Sequence, residues 1–131
     1  MAATFNFELV TPERLVFSGE ASQVVVPGAE GDFAVLSGHS PFISTLRPGI
    51  LDVTMPDGRQ QLLVKKGIAE ADPDRLTVLA QTAVPVDELK GERLAGELKL
   101  AETQLAEAQD DHARMVAEAL IDVLKRLQLK S

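Results

Sequence analysis

The chain changes its grammar at Pro85, and that break limits the fold more than any motif does. All seven Pro, all five Phe and seven of the nine Gly precede Val86. Residues 87–131 hold seven Ala and nine Leu among dense charges, with only Thr103, Val116, Ile121 and Val123 β-branched. Net charge does not mark the boundary, because both segments are mildly acidic. What changes is backbone preference, from β-branched and aromatic runs with turn punctuation to helix formers.

Residues 1–86 are spaced as eight or nine short strands, at 5–11, 14–17, 23–26, 33–36, 42–46, 50–54, 60–66, 68–71 and 76–82. In the first, Phe5, Phe7 and Leu9 share one face while Asn6 and Glu8 take the other. Met55-Pro56-Asp57-Gly58 is a hairpin signal, attributed to the ease with which Asp-Gly reaches φ > 0. Strands this short and regular predict an antiparallel β-sandwich or flattened barrel.

Residues 87–131 predict an antiparallel two-helix hairpin, giving an α+β chain with a β-domain at 1–86 and a helical domain at 87–131. Leu94, Leu98, Ala101, Leu105 and Ala108 form one apolar stripe, and Ala113, Val116, Leu120, Val123 and Leu127 form the second. Between them Gln109-Asp110-Asp111-His112 supplies acceptors for an N-cap. Arg93 with Glu97, and Asp122 with Arg126, are spaced as i,i+4 ion pairs. The first stripe is thin, and Gly91 and Gly96 each weaken its helix by ~1 kcal/mol relative to Ala. Such a hairpin must lean on the β-domain or on a partner.

Several kinds of chemistry are excluded. The chain has no Cys and only two His, His39 and His112, so neither a thiolate nucleophile nor a His-rich metal site is expected. Thirteen basic against twenty acidic residues leave a net charge of −7, which disfavours nucleic acid. No apolar run approaches the ~20 residues of a bilayer span. Gly91 and Gly96 have phosphate-loop spacing, but Glu97-Leu98 follows where Lys and Ser/Thr are required. Ser37 and Ser40 lie near His39 in sequence, without the convergence a catalytic pair needs. The reading is a binding or coupling module with no cofactor.

Phe17-Ser18-Gly19, Gly28-Ala29-Glu30-Gly31-Asp32-Phe33, Gly38-His39-Ser40-Pro41, Leu46-Arg47-Pro48-Gly49 and the run from Thr77 to Ala83 stand in a fixed order. In that order and spacing the chain resembles the epsilon subunit of the F-type ATP synthase along its whole length. The resemblance implies a non-catalytic central-stalk subunit. It would bind gamma and the c-ring of a proton-translocating enzyme, peripheral on the cytoplasmic face of the bacterial inner membrane and with no insertion of its own.

Carried over by position, Thr11 and His39 fall where the family meets gamma, and Glu30, Gly31 and Asp32 on the turn that meets the c-ring. The family's hairpin can also hold back ATP hydrolysis. Arg114, Lys125, Arg126 and Lys130 would then face the catalytic alpha/beta head. The rival reading is a nucleotide-sensing module of the same architecture. The family's ATP-binding signature, Ile/Leu-Asp-x-x-Arg-Ala, corresponds here to Leu89-Lys90-Gly91-Glu92-Arg93-Leu94, which keeps Arg93 but reverses a charge at Lys90.

Overall fold

A computed structural model describes residues 3–130, without the side chain of Lys130. Ten strands come first: β1 Phe5–Val10, β2 Leu15–Ala21, β3 Gln23–Gly28, β4 Gly31–Leu36, β5 Phe42–Thr45, β6 Gly49–Met55, β7 Gly58–Val64, β8 Gly67–Asp72, β9 Arg75–Ala80 and β10 Ala83–Pro85. A 3-10 turn at Val86–Glu88 leads to helices α1, Gly91–Ala106, and α2, Asp111–Lys130. The strands form two five-stranded sheets, ordered β2-β1-β9-β8-β5 and β10-β7-β6-β3-β4. Their facing sides enclose Phe7, Leu9, Val24, Leu51, Leu62 and Leu76, all fully buried. The rings of Phe7 and Phe17 lie 5.6 Å apart within this layer, and Phe33 and Phe42 meet edge-on at 5.2 Å between the outermost strands of the two sheets.

The sandwich departs from the expected pattern in three places. β1 and β9 run parallel, with Phe7 opposite Leu76 and Leu9 opposite Val78. Parallel neighbours need a long crossover, and seven intervening strands provide it. The last expected strand, 76–82, stops at Ala80, and the chain crosses to the second sheet as β10, setting Ala83 against Val64 and Pro85 against Leu62. Pro85 has no N–H to donate, and an edge strand tolerates that. At the β6–β7 hairpin Pro56 and Asp57 are the central turn residues and Gly58 already pairs with Met55, so no positive φ is used there.

The hairpin packs on the outer face of the second sheet. Leu63 and Val84 from the sheet join Leu89, Leu94, Ala101, Leu120, Val123 and Leu124 in a second apolar cluster, with Ile50 against it. On α2 the stripe sits differently from expectation. Val116 is 39% exposed, whereas Ala117 and Leu124 are buried. Ala117, Leu120 and Leu124 form one row while Val123 remains covered, because α2 is flanked by both α1 and the sheet and buries a broad arc. Asp110 caps α2 as expected, its Oδ1 accepting from the Ala113 N–H at 2.7 Å, and Arg126 pairs with Asp122 at 3.2 Å. Arg93 does not reach Glu97. It binds Glu88 at 3.0 Å, and Glu97 takes Lys65 of the β-body instead.

Candidate docking surfaces

The first sheet turns its outer face away from the hairpin, and that face carries an apolar row. Pairing sets Leu15 beside Val10, Val10 beside Leu79, Leu79 beside Ile68 and Ile68 beside Thr45. Directly opposed residues share a face, so these side chains cross the whole sheet. Leu15 is 54% exposed, Leu79 41% and the nearby Ile43 on β5 71%. Aligned exposed aliphatics of this kind mark contact sites more often than isolated ones do.

Thr11 stands at one end of this row, just past β1. Its hydroxyl and N–H both donate to the Arg14 carbonyl, at 3.3 Å and 2.9 Å, and close the β1–β2 turn. His39 lies at the other end of β1. Its ring meets Phe5 edge-on at 5.4 Å. Nδ1 donates to the Leu36 carbonyl at 2.5 Å, and Nε2 lies 3.3 Å from the Arg75 carbonyl. Both ring nitrogens therefore face backbone acceptors, and neither is offered to Ser37 or Ser40. The imidazole ties the β4–β5 loop to β9. A six-residue strand separates it from Thr11 by about 20 Å, so the structure does not bring these two residues together.

Glu30, Gly31 and Asp32 form the exposed β3–β4 turn, at the same end of the sandwich as Thr11. Gly31 has φ +145°, a conformation that side chains disfavour. Asp32 accepts from Arg47 Nη2 at 2.6 Å, and Arg47 Nη1 donates to the Gly28 carbonyl at 2.5 Å. The Ala29 N–H adds a bond to the Thr45 carbonyl at 2.9 Å. Arg47 thus holds the turn from a distant loop. The sequence signalled it only as part of Leu46-Arg47-Pro48-Gly49, because a partner fifteen positions away leaves no periodic trace.

On α2, Arg114 pairs with Asp111 at 2.9 Å and Arg126 with Asp122, all of them exposed, and Lys125 is exposed as well. Eleven residues is close to three turns, so Arg114 and Lys125 share a face about 16 Å apart. The side chain of Lys130 lies outside the described residues. Arg93, at the start of α1, is engaged by Glu88. No cluster of three metal-ligating side chains occurs among the described residues.

Under the hairpin's edge, Asp52 on β6 receives Arg59 Nε at 2.9 Å and Nη2 at 2.5 Å, with Gln61 at 3.3 Å. The hydrogen bonds from Arg59 hold its carboxyl below the ordinary 3.8, against a smaller opposing effect of burial. Nothing in this group converges on a space where a substrate would react. Every surface described is suited to contact rather than to bond-making.

The sequence family described as "ATP synthase, Delta/Epsilon chain, beta-sandwich domain" matches residues 4–86. The ATP synthase epsilon chain of Parvibaculum lavamentivorans is 46% identical over 129 residues, covering 98% of each chain. That of Bradyrhizobium sp. (strain ORS 278) is 48% identical over 126 residues, covering 96% of this chain and 93% of the relative. Among solved structures, a chain in the cryo-EM structure of the Euglena gracilis mitochondrial ATP synthase (OSCP/F1/c-ring) superposes with a TM-score of 0.75 at 23% identity. That superposition covers 99% of this chain and 82% of the other, and it supports the fold alone. With identity near one half along almost its full length, the chain belongs to the family of ATP synthase epsilon chains.

Proposed function

We propose that the chain works as a non-catalytic rotor subunit in the central stalk of a proton-translocating F-type synthase. In this reading it docks gamma through the outer face of the first sheet, between Thr11 and His39, and meets the c-ring through Glu30, Gly31 and Asp32. The observation that carries it is the row Leu15, Val10, Leu79 and Ile68, in which Leu15 and Leu79 are exposed and Val10 and Ile68 half-buried, while the second sheet is covered by the hairpin. A stiff sandwich suits transmission of torque, and the Arg47 brace gives the polar turn a fixed shape. No helix among the described residues is long and apolar enough to cross a membrane. The subunit is peripheral to the membrane complex, on the cytoplasmic face of the bacterial inner membrane.

The hairpin is the regulatory part in this proposal, with Arg114, Lys125, Arg126 and Lys130 directed at the alpha/beta head when it leaves the sandwich. Nucleotide sensing through Arg93 has less support, because Glu88 occupies its guanidinium and Lys90 stands where the family's signature has a carboxylate.

Solubilised synthase carrying Leu79→Asp together with Leu15→Asp tests the docking face. Loss of gamma from the purified complex, with the variant still folded, is the expected result. Retention of gamma at wild-type stoichiometry would remove the proposal. Hydrolysis by the assembled head with and without residues 87–131 tests the regulatory part, and equal rates would exclude inhibition.

A further inference from the structure

The hairpin does not seal against the sandwich along its whole length. Below the first two turns of α2 lies a crevice of about 610 Å³, the size of a small-molecule site. One wall is Leu46 and Pro48 of the sandwich, and the other is Met115 and Val116 of α2, which are 68% and 39% exposed. Lys66 and His112 stand at its lining, each exposed and without an ion pair or side-chain hydrogen bond among the described residues. The third basic lining group, Arg47, is occupied by Asp32 and Gly28. Among the described residues no acidic side chain lines the crevice, although the chain has twenty acidic residues against thirteen basic.

We infer that this crevice binds an amphipathic anion, a carboxylate with an alkyl tail. The tail replaces water against Leu46, Pro48, Met115 and Val116, and the head is held by Lys66 and His112. Charge complementarity selects this occupant. A neutral alkane leaves the Lys66 ammonium unanswered, and a cation is repelled by it. A hydrophilic anion wastes the apolar walls. Because the walls belong to two separate elements, an occupant bridges them and holds the hairpin against the sandwich. The crevice borders both proposed docking surfaces, sharing Ile68 and Thr45 with the apolar row and Arg47 with the brace of the β3–β4 turn, and it does not include Arg93.

The test is titration of the full chain with sodium decanoate below micelle formation, followed by amide chemical shifts and hydrogen exchange. Saturable 1:1 binding is expected, with shifts at residues 46–48 and 112–119 and slower exchange in the first turns of α2. Lys66→Glu should weaken binding about three- to tenfold, and Val116→Asp should abolish it. Both positions are exposed, and circular dichroism melts confirm folding. Equal binding of 1-decanol or decyltrimethylammonium would overturn the proposal. So would non-saturable uptake, binding unchanged in both variants, or binding that leaves α2 exchange unaltered.

Discussion

Lys65 Nζ donates to Glu97 Oε1 at 2.5 Å, joining the residue that follows β7 to the second turn of α1. Both side chains are about one-fifth exposed. Of the ion pairs found among the described residues, this one alone ties the hairpin's helices to the sandwich. It therefore acts as a polar latch beside the apolar cluster. Removing one partner leaves a largely buried charge unanswered, at a cost of about 1–2 kcal/mol. Glu97→Gln and Lys65→Met should each speed amide exchange in α1, while the double variant loses less than the sum of the two. Fully additive effects in a denaturant melt would mean that the pair contributes nothing.

Cutting the chain after Val86 should leave a folded sandwich, because the interior built on Phe7, Leu9, Leu51 and Leu62 contains no helical residue. The cut uncovers Leu63 and Val84, which the hairpin buries. The fragment is expected to melt cooperatively, bind a hydrophobic dye and self-associate with rising concentration. A fragment without a cooperative transition would show that the second cluster is indispensable.

Asp52 links stability to acid. Its carboxyl titrates lower in the folded chain than the ordinary 3.8, mainly through hydrogen bonds from Arg59. The unfolded chain therefore takes up this proton first, and the contribution is present above about pH 4 and lost as pH falls through the folded value. Urea midpoints between pH 3 and pH 7 should drop more steeply at the acid end for the natural chain than for Asp52→Asn. Parallel curves would remove Asp52 from the acid response.

Gly67 opens β8 at φ +154°, and a Cβ there would lie 1.9 Å from the Leu79 carbonyl oxygen. Backbone cannot step aside as a flexible side chain can. Gly67→Ala should cost about 2–4 kcal/mol. At Gly58 the space is open and φ is not positive, so Gly58→Ala should be close to neutral. Thermal melts of the two variants make the comparison, and equal midpoints would contradict it.

The features legible from residue order alone are local ones. Alternation at Phe5, Phe7 and Leu9 set a strand face, the Asp110 cap bonds a neighbour three positions on, and Asp122 meets Arg126 one turn away. Backbone geometry dictates these distances wherever the segment sits. The Arg93–Glu97 pair had the same spacing, yet Lys65 competed successfully for Glu97 once the sheet came near.

The candidate surfaces divide in the same way. Glu30, Gly31 and Asp32 could be read as a turn, but the Arg47 brace on it could not. Val10, Leu15, Ile68 and Leu79 become a row only when β1 pairs with β2 and β9, and β9 with β8. The sequence by itself determined strand against helix, the apolar faces and the caps, because those follow from periods of two and 3.6 residues. Only the tertiary structure decided which strands became neighbours, which charges met and where the hairpin left a crevice. Those depend on contacts between segments far apart in the chain, whose closeness comes from packing the two sheets and the helices together.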